Sequence, residues 1–167
     1  DLKYLDAMRR LRATYPEDVE ASAFYALALL GSAHQGRDAA LYMQAAAVLE
    51  DVYATHSDHP GIAHYLIHLY DYPATAQKGL GAANRYAKIA PAAPHAQHMP
   101  SHTYTRVGYW KESIDSNTAS VKAAKAEKSV GNYLHAQDYM VYAFLQLGQD
   151  QQARVVIDDM TKETDFK

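Results

Sequence analysis

The sequence predicts an all-α protein, an α-solenoid in which antiparallel helix pairs stack side by side. Apolar residues recur at helical spacing through most of the chain, and no stretch shows the alternation of a half-buried strand. Short breaks, many with proline or glycine, separate the helical stretches. One pattern occurs twice at an offset of 34 residues: Pro60 and Pro94, His64 and His98, His68 and His102, Tyr70 and Tyr104. Repetition at a fixed offset indicates stacked helical units.

The first third of the chain holds three predicted helices. A leading helix occupies residues 1–14, with leucine and methionine side chains on one face. The helix predicted over 17–34 opens with acidic residues, which the positive end of the helix dipole favours, and it ends at Gln35-Gly36. Residues 37–56 form its partner, because apolar side chains follow one continuous stripe there.

The middle of the chain holds four predicted helices, two of which begin at a proline. Proline suits the first turn of a helix, since the N–H that it lacks would have no partner there. The predicted helices cover residues 60–71, 74–89, 94–108 and 110–128.

The last predicted pair covers 132–147 and 150–163, after a break at Gly131. Connections this short place consecutive helices side by side in opposite directions. The whole chain, 1–167, is therefore interpreted as a single helical domain. After the leading helix it contains three to four units, at about 17–56, 60–91, 94–128 and 132–163.

Pro100 falls inside the helix predicted over 94–108, between His98 and His102. It removes a backbone donor and presses against the carbonyl of Ala96, so we expect a kink or a wide turn there. The alternative is that the helix begins near Pro100, with His95 and His98 in the preceding loop.

Several residues of the third unit, together with Pro91 at the end of the second, resemble the tetratricopeptide repeat, whose period is also about 34 residues. They match its tyrosine, turn glycine, following aromatic residues, small packing residue and closing proline: Tyr104, Gly108, Tyr109, Trp110, Ser113 and Pro91. The segments HPGIAHYLIH and APHAQHMPSH are also similar to those of uncharacterised bacterial tetratricopeptide-repeat proteins that are rich in histidine. The resemblance implies a concave groove lined by the first helix of each unit.

Composition excludes several classes of function. The net charge of -3 does not indicate a nucleic-acid-binding protein, and no apolar run is long enough to span a membrane. The chain has no cysteine, so disulfides, thiol catalysis and thiolate metal ligands are excluded. Any metal must be held by nitrogen and oxygen.

The two copies of the pattern each carry a His-x-x-x-His pair, which predicts a metal site. Residues four apart on a helix lie on one face, with Cβ atoms roughly 5–6 Å apart. If the two units stack in parallel, the pairs face each other, so His64, His68, His98 and His102 are the candidate ligands. Ligation by nitrogen without thiolate suits zinc, copper, nickel or iron.

Other residues are candidates for a further ligand or for a partner that orients the histidines. The family resemblance places His95, His135 and Asp138 in the same groove. Asp71 follows His68 by almost one turn, and it is a candidate, with Tyr104 and Asp138, for fixing the histidine tautomers.

Three functions are compatible with these residues. A site closed by four histidines would be structural or would carry metal, whereas an open site would suit metal-assisted hydrolysis or oxidation. The third is an interaction module, in which a polar groove without metal binds a peptide or protein ligand. We rank metal binding first, ligand recognition second and catalysis third.

Overall fold

A computed structural model describes residues 2–33 and 36–162 of the chain. Within these ranges the chain forms helices joined by short connections, and it contains no strand. The helices are α1 (Leu2–Thr14), α2 (Val19–Gly31), α3 (Ala39–Tyr53), α4 (Pro60–Tyr70), α5 (Ala76–Ile89), α6 (Pro94–His98), α7 (Pro100–Val107), α8 (Trp110–Glu127), α9 (Val130–Gln146) and α10 (Asp150–Lys162). The prediction of an all-α fold is confirmed.

The helices stack in chain order. Each packs against the next, and α8 packs against both α6 and α7. A second set of contacts joins α2 to α4, α4 to α7, and α6 to α9, which are alternate helices when the consecutive segments α6 and α7 are counted as one. These helices therefore lie side by side along the stack, and the predicted α-solenoid is confirmed. None of the described helices is long and apolar enough to cross a membrane.

Side-chain caps decide where two of the helices begin. Asp18 accepts a hydrogen bond from the Ala21 N–H at 2.9 Å, and Asp38 accepts one from the Leu41 N–H at 3.0 Å. Such caps satisfy backbone donors that the first turn of a helix leaves unpaired. Both helices begin two residues later than predicted. The predicted starts counted the capping aspartate and the residue before it as part of each helix.

The prediction of a break at Gly131 was wrong, because that glycine lies inside α9. The break falls at Lys128, which ends α8 in the left-handed conformation with φ 55°. The turn is closed by a hydrogen bond from the Ser129 N–H to the Ala124 carbonyl at 2.9 Å. Glycine is the usual residue at such a position, and a lysine there offers no sequence signal.

The apolar core orients the face of α4 that carries histidines. The core runs through α2, α3, α4 and α5 and reaches α6. Ile62, Leu66 and Leu69 of α4 are almost fully buried in it. Since each helical residue advances by about 100°, His64 and His68 lie on the side of α4 turned away from these residues.

Pro100 divides the helix that was predicted over 94–108. The segment α6 ends at His98 and α7 begins at Pro100, although Met99 between them keeps helical backbone angles. The His102 N–H bonds to the Met99 carbonyl at 3.2 Å, which is the tighter spacing of a 3₁₀ turn. His95 and His98 thus lie on a helical segment of their own and not in a loop.

Two glycines of α5 give a matched test of how closely this helix packs. A Cβ added at Gly79 would lie 3.2 Å from the Thr103 hydroxyl and 3.3 Å from the Tyr70 Cβ, whereas one at Gly81 would meet nothing within 4 Å. Alanine in a helix is roughly 0.5–1 kcal/mol more favourable than glycine. We predict that Gly81→Ala raises the free energy of unfolding by about that amount. Gly79→Ala should give no gain or a loss in denaturant titrations, and an equal gain in both variants would contradict the packing.

Candidate metal centre

Six of the nine histidines gather where α4, α6, α7 and α9 meet. They form two groups, and within each group the potential ligand nitrogens all lie within 4.8 Å of one another. The first trio is His64, His68 and His95. The second trio is His98, His102 and His135. No residue belongs to both trios.

The first trio is centred on His64. Its Nε2 atom lies 3.0 Å from the Nε2 of His68 and 3.0 Å from the Nε2 of His95. The His64 ring also stacks on Tyr86, with ring centroids 5.2 Å apart and planes inclined by 8°. The tyrosine therefore supports the imidazole from α5, while the ring edge with Nε2 faces the other two histidines.

The second trio is centred on His98, which is only 2% exposed. Its Nε2 atom lies 3.0 Å from the Nε2 of His102. The ring of His135 lies 4.4 Å from that of His98, measured between centroids. Tyr139, one turn after His135 on α9, packs against all three rings at centroid distances of 4.8, 5.0 and 5.3 Å. The trio is thus held between the α6–α7 segment and α9.

A buried asparagine fixes the tautomer of His98. The Nδ1 atom of His98 lies 2.6 Å from the Oδ1 of Asn117. The amide nitrogen of Asn117 donates to the Ser113 carbonyl at 2.8 Å, which identifies the other amide atom as the oxygen. Because that oxygen only accepts, Nδ1 of His98 carries the proton and Nε2 presents a lone pair.

A carboxylate fixes the tautomer of His102 in the same sense. The Asp71 carboxylate lies 3.1 Å from His102 Nδ1 and accepts a hydrogen bond from Arg106 Nε at 2.7 Å. Burial raises the pKa of Asp71, but the hydrogen bonds from His102 and Arg106 outweigh it and hold the pKa below its usual range. An ionised carboxylate accepts only, so Nδ1 of His102 is the donor, and in the neutral ring its Nε2 presents a lone pair.

Burial keeps several of the other imidazoles uncharged. Burial first, and then the charges of neighbouring histidines, lower the pKa of His64 to about 3. The pKa of His98 is lowered to about 3, also chiefly by burial and against the influence of the Asn117 hydrogen bond. Burial lowers the pKa of His68 to about 4, and it lowers that of His95 as well. These four rings are therefore neutral near pH 7.

The four histidines predicted from the repeat do not meet at a single point. His64 and His68 belong to the first trio, and His98 and His102 to the second. The prediction placed two helical pairs directly opposite each other. In the structure, His95 on the preceding turn of α6 faces His64 instead, and α9 brings a third ligand candidate to the other pair. The residues ranked as outer candidates, His95 and His135, thus complete the trios.

Two of the other predicted residues lie away from the ligand nitrogens. Tyr104 follows His102 by two residues, or about 200° around the helix, and its hydroxyl donates to Asn84 at 2.8 Å. It therefore does not orient a histidine. Asp138 is exposed and lies in neither trio, but it lines a cleft of about 270 Å³ together with His102 and Tyr139.

Three residues of this site were not predicted from the sequence, namely Asn117, Tyr139 and Arg106. Asn117 falls on a stripe of small residues in α8 that is buried throughout, Ser113, Asn117, Ser120 and Ala124. An amide on such a stripe signals a buried hydrogen-bond partner, so it could have been found. Tyr139 and Arg106 carry no comparable signal.

The remaining histidines have separate environments. His59 caps α4, accepting from the Ile62 N–H, and its other ring nitrogen lies 2.9 Å from the Glu20 carboxylate. His56 is exposed and contacts the Thr55 hydroxyl. His34, which was interpreted as an ordinary surface histidine, lies outside the described residues.

Solved structures of MamA are similar to this chain. MamA MSR-1 C2 matches with a TM-score of 0.69 and 15% identity over 87% of this chain and 76% of its own. MamA D159K mutant 1 matches with a TM-score of 0.72 and 13% identity over 95% and 84%. MamA AMB-1 P212121 matches with a TM-score of 0.66 and 15% identity over 87% and 78%. No model of a protein family and no curated protein matches the chain.

At these identities the likeness shows the fold alone. MamA is an all-helical protein similar to tetratricopeptide-repeat proteins. The chain described above therefore has a fold of the tetratricopeptide type, as the residues around Tyr104 and Gly108 implied.

The lowered pKa values predict that acid destabilises the metal-free protein. An unfolded histidine titrates near its ordinary pKa of about 6.5, so below that pH the unfolded chain binds protons that His64 and His68 do not bind in the fold. The contribution of these two rings to the free energy of unfolding should thus be constant above about pH 6.5 and fall between there and about pH 4. Thermal denaturation in the presence of a chelator measures this. His64→Leu should show a shallower decline, and an unchanged decline in that variant would contradict the assignment.

Proposed function

We propose that the groove binds transition-metal ions through imidazole nitrogens. The observation that carries this proposal is the contact between His98 and His102. Asn117 and Asp71 hold a proton on the Nδ1 of each ring, so in the neutral rings the two Nε2 atoms face each other at 3.0 Å with lone pairs and no hydrogen between them. Two lone pairs at that distance repel each other. A cation between or beside the two nitrogens accepts both lone pairs, so the repulsion is replaced by two coordination bonds.

A proton on His98 is a poor alternative to a metal ion here. Burial lowers the pKa of His98, so protonation of that ring near pH 7 is unfavourable. A metal ion binds neutral imidazole and needs no such protonation. Two nitrogens bonded to zinc at about 2.0–2.1 Å in a tetrahedral shell lie roughly 3.3 Å apart. A small outward movement of either ring would therefore make the observed pair a pair of ligands.

The donor set narrows the choice of metal. All six ligand candidates are imidazoles, and the nearest carboxylate, that of Asp71, is engaged by His102 and Arg106. Nitrogen donors without thiolate or carboxylate suit zinc, copper, nickel and iron, and they disfavour calcium and magnesium. The Asp71–His102 pair supports the proposal, because carboxylates commonly orient the histidines that bind zinc.

Metal-assisted hydrolysis or oxidation is the second candidate function. It is favoured by the grouping of the histidines in threes, because three protein ligands leave a position for water or substrate on a four-coordinate ion. The cleft of about 270 Å³ lined by His102, Arg106 and Tyr139 lies beside the second trio and has room for a small molecule. A metal-free groove that binds a peptide or a protein is the alternative if no ion binds.

We predict that protein purified without a His-tag and stripped with a chelator binds zinc or copper, measured by calorimetry and elemental analysis. Zinc at about 100 times its dissociation constant should stabilise the fold by roughly 2.7 kcal/mol, because only the folded chain presents the site. The double variant His64→Ala/His102→Ala removes one ligand from each trio. Its zinc affinity should fall at least about tenfold. Removing a residue that only hydrogen-bonds to a ligand already weakens metal binding by about that factor, and the loss of a ligand itself should cost no less.

His56→Ala is the matched control, because His56 is exposed and lies outside both trios. It should bind zinc as the unaltered protein does. A protein that takes up neither zinc nor copper and shows no thermal shift would contradict the metal proposal. The peptide-binding groove would then be the better interpretation.

A further inference from the structure

We propose that the groove holds two metal ions, one in each trio, and that the second trio binds its ion more tightly than the first. This inference rests on the proposed function and specifies the number of ions and their order of binding. Its basis is the geometry of the six histidines and the unequal support that the two trios receive.

A single ion cannot use all six rings as they are arranged. Two nitrogens bonded to one ion at about 2.0–2.1 Å lie at most roughly 4.2 Å apart. Among the described residues, the ligand nitrogens that lie within 4.8 Å of one another form two separate trios and not one group of six. Within each trio the ligand nitrogens all lie within 4.8 Å of one another, so modest ring movements close each trio on its own ion.

The second trio is prepared for an ion by partners on the far side of its rings. Asn117 accepts from His98 Nδ1 at 2.6 Å, and Asp71 accepts from His102 Nδ1 at 3.1 Å. These hydrogen bonds fix the tautomer and orientation of two ligands, and the carboxylate raises the basicity of one. The negative charge of Asp71 also offsets part of the charge that an ion would bring into a half-buried site.

The first trio lacks such partners. Within residues 2–33 and 36–162, no hydrogen bond is made by the Nδ1 atoms of His64, His68 or His95. The His64 ring is supported by stacking on Tyr86, which restrains its plane but does not select a tautomer. Binding an ion there must fix tautomers and rotamers that the metal-free protein leaves undetermined. The first trio should therefore bind more weakly.

Each ion would keep an open coordination position. Three neutral imidazoles fill three of the four positions of a tetrahedral ion and leave its charge uncompensated. The fourth ligand on each ion is thus expected to be water, hydroxide or a small anion. Tyr139, which packs against all three rings of the second trio, would border that position.

The test is a zinc titration of the chelator-stripped full chain, with native mass spectrometry for stoichiometry and calorimetry for affinity. We expect two equivalents whose dissociation constants differ by about 10–100-fold, the usual effect of partners outside the ligand shell. His95→Ala should abolish the weaker equivalent and leave the tighter one. His135→Ala should do the reverse. Both side chains are exposed, so the variants should fold, and thermal denaturation checks this.

Asp71→Asn tests the order of binding. It should weaken the tighter equivalent about 10–100-fold and affect the weaker one much less, because the carboxylate hydrogen-bonds to His102 and acts on His68 only through its charge. Equal effects of Asp71→Asn on both equivalents would overturn the order. One equivalent, weakened alike by His95→Ala and His135→Ala, would overturn the two-ion arrangement while the proposed function stands. Absence of any zinc binding would overturn the proposed function itself.

Discussion

The facing Nε2 atoms of His98 and His102 are the contact on which the account of this groove depends. Neither ring can turn its proton toward the other without losing the hydrogen bond to Asn117 or to Asp71. Protonation of His98 would place a charge where burial disfavours it. With both rings neutral, the fold therefore holds two lone pairs together in the metal-free state. Such an arrangement is unfavourable by itself and favourable around a cation, which is why we interpret it as a binding site.

The solenoid supplies this arrangement through the repeat of its helices. Contacts of α4 with α7 and of α6 with α9 bring first helices of successive units close enough for side chains to meet. The division at Pro100 separates the helical segment of His95 and His98 from that of His102. Burial of the apolar face of α4 turns His64 and His68 to the same side. The groove thus receives histidines from four helical segments. The local sequence pattern His-x-x-x-His relates only His64 to His68 and His98 to His102.

The fold could be predicted from the sequence more fully than the site. The 34-residue offset, the prolines at Pro60 and Pro94 and the turn at Gly108 identify the repeat because they act locally on the backbone. The grouping of the histidines depends on how far neighbouring helices are shifted along each other, and no local pattern encodes that shift. For the same reason His95 was ranked below His98, and Asn117, distant in sequence, was missed. The turn at Lys128 could not be predicted, because a lysine in the left-handed conformation gives the sequence no glycine to mark the end of the helix.

Anomalous diffraction from crystals soaked in zinc is the most direct test of the central claim. Data collected at the zinc absorption edge should show one peak within each trio, with Nε2 atoms of His64 and His68 around one and those of His98 and His102 around the other. Each peak should lie about 2.0–2.1 Å from its ligand nitrogens, with a non-protein ligand completing the shell. Fully soaked crystals without a peak in the groove, with His98 and His102 still in direct contact, would contradict the account.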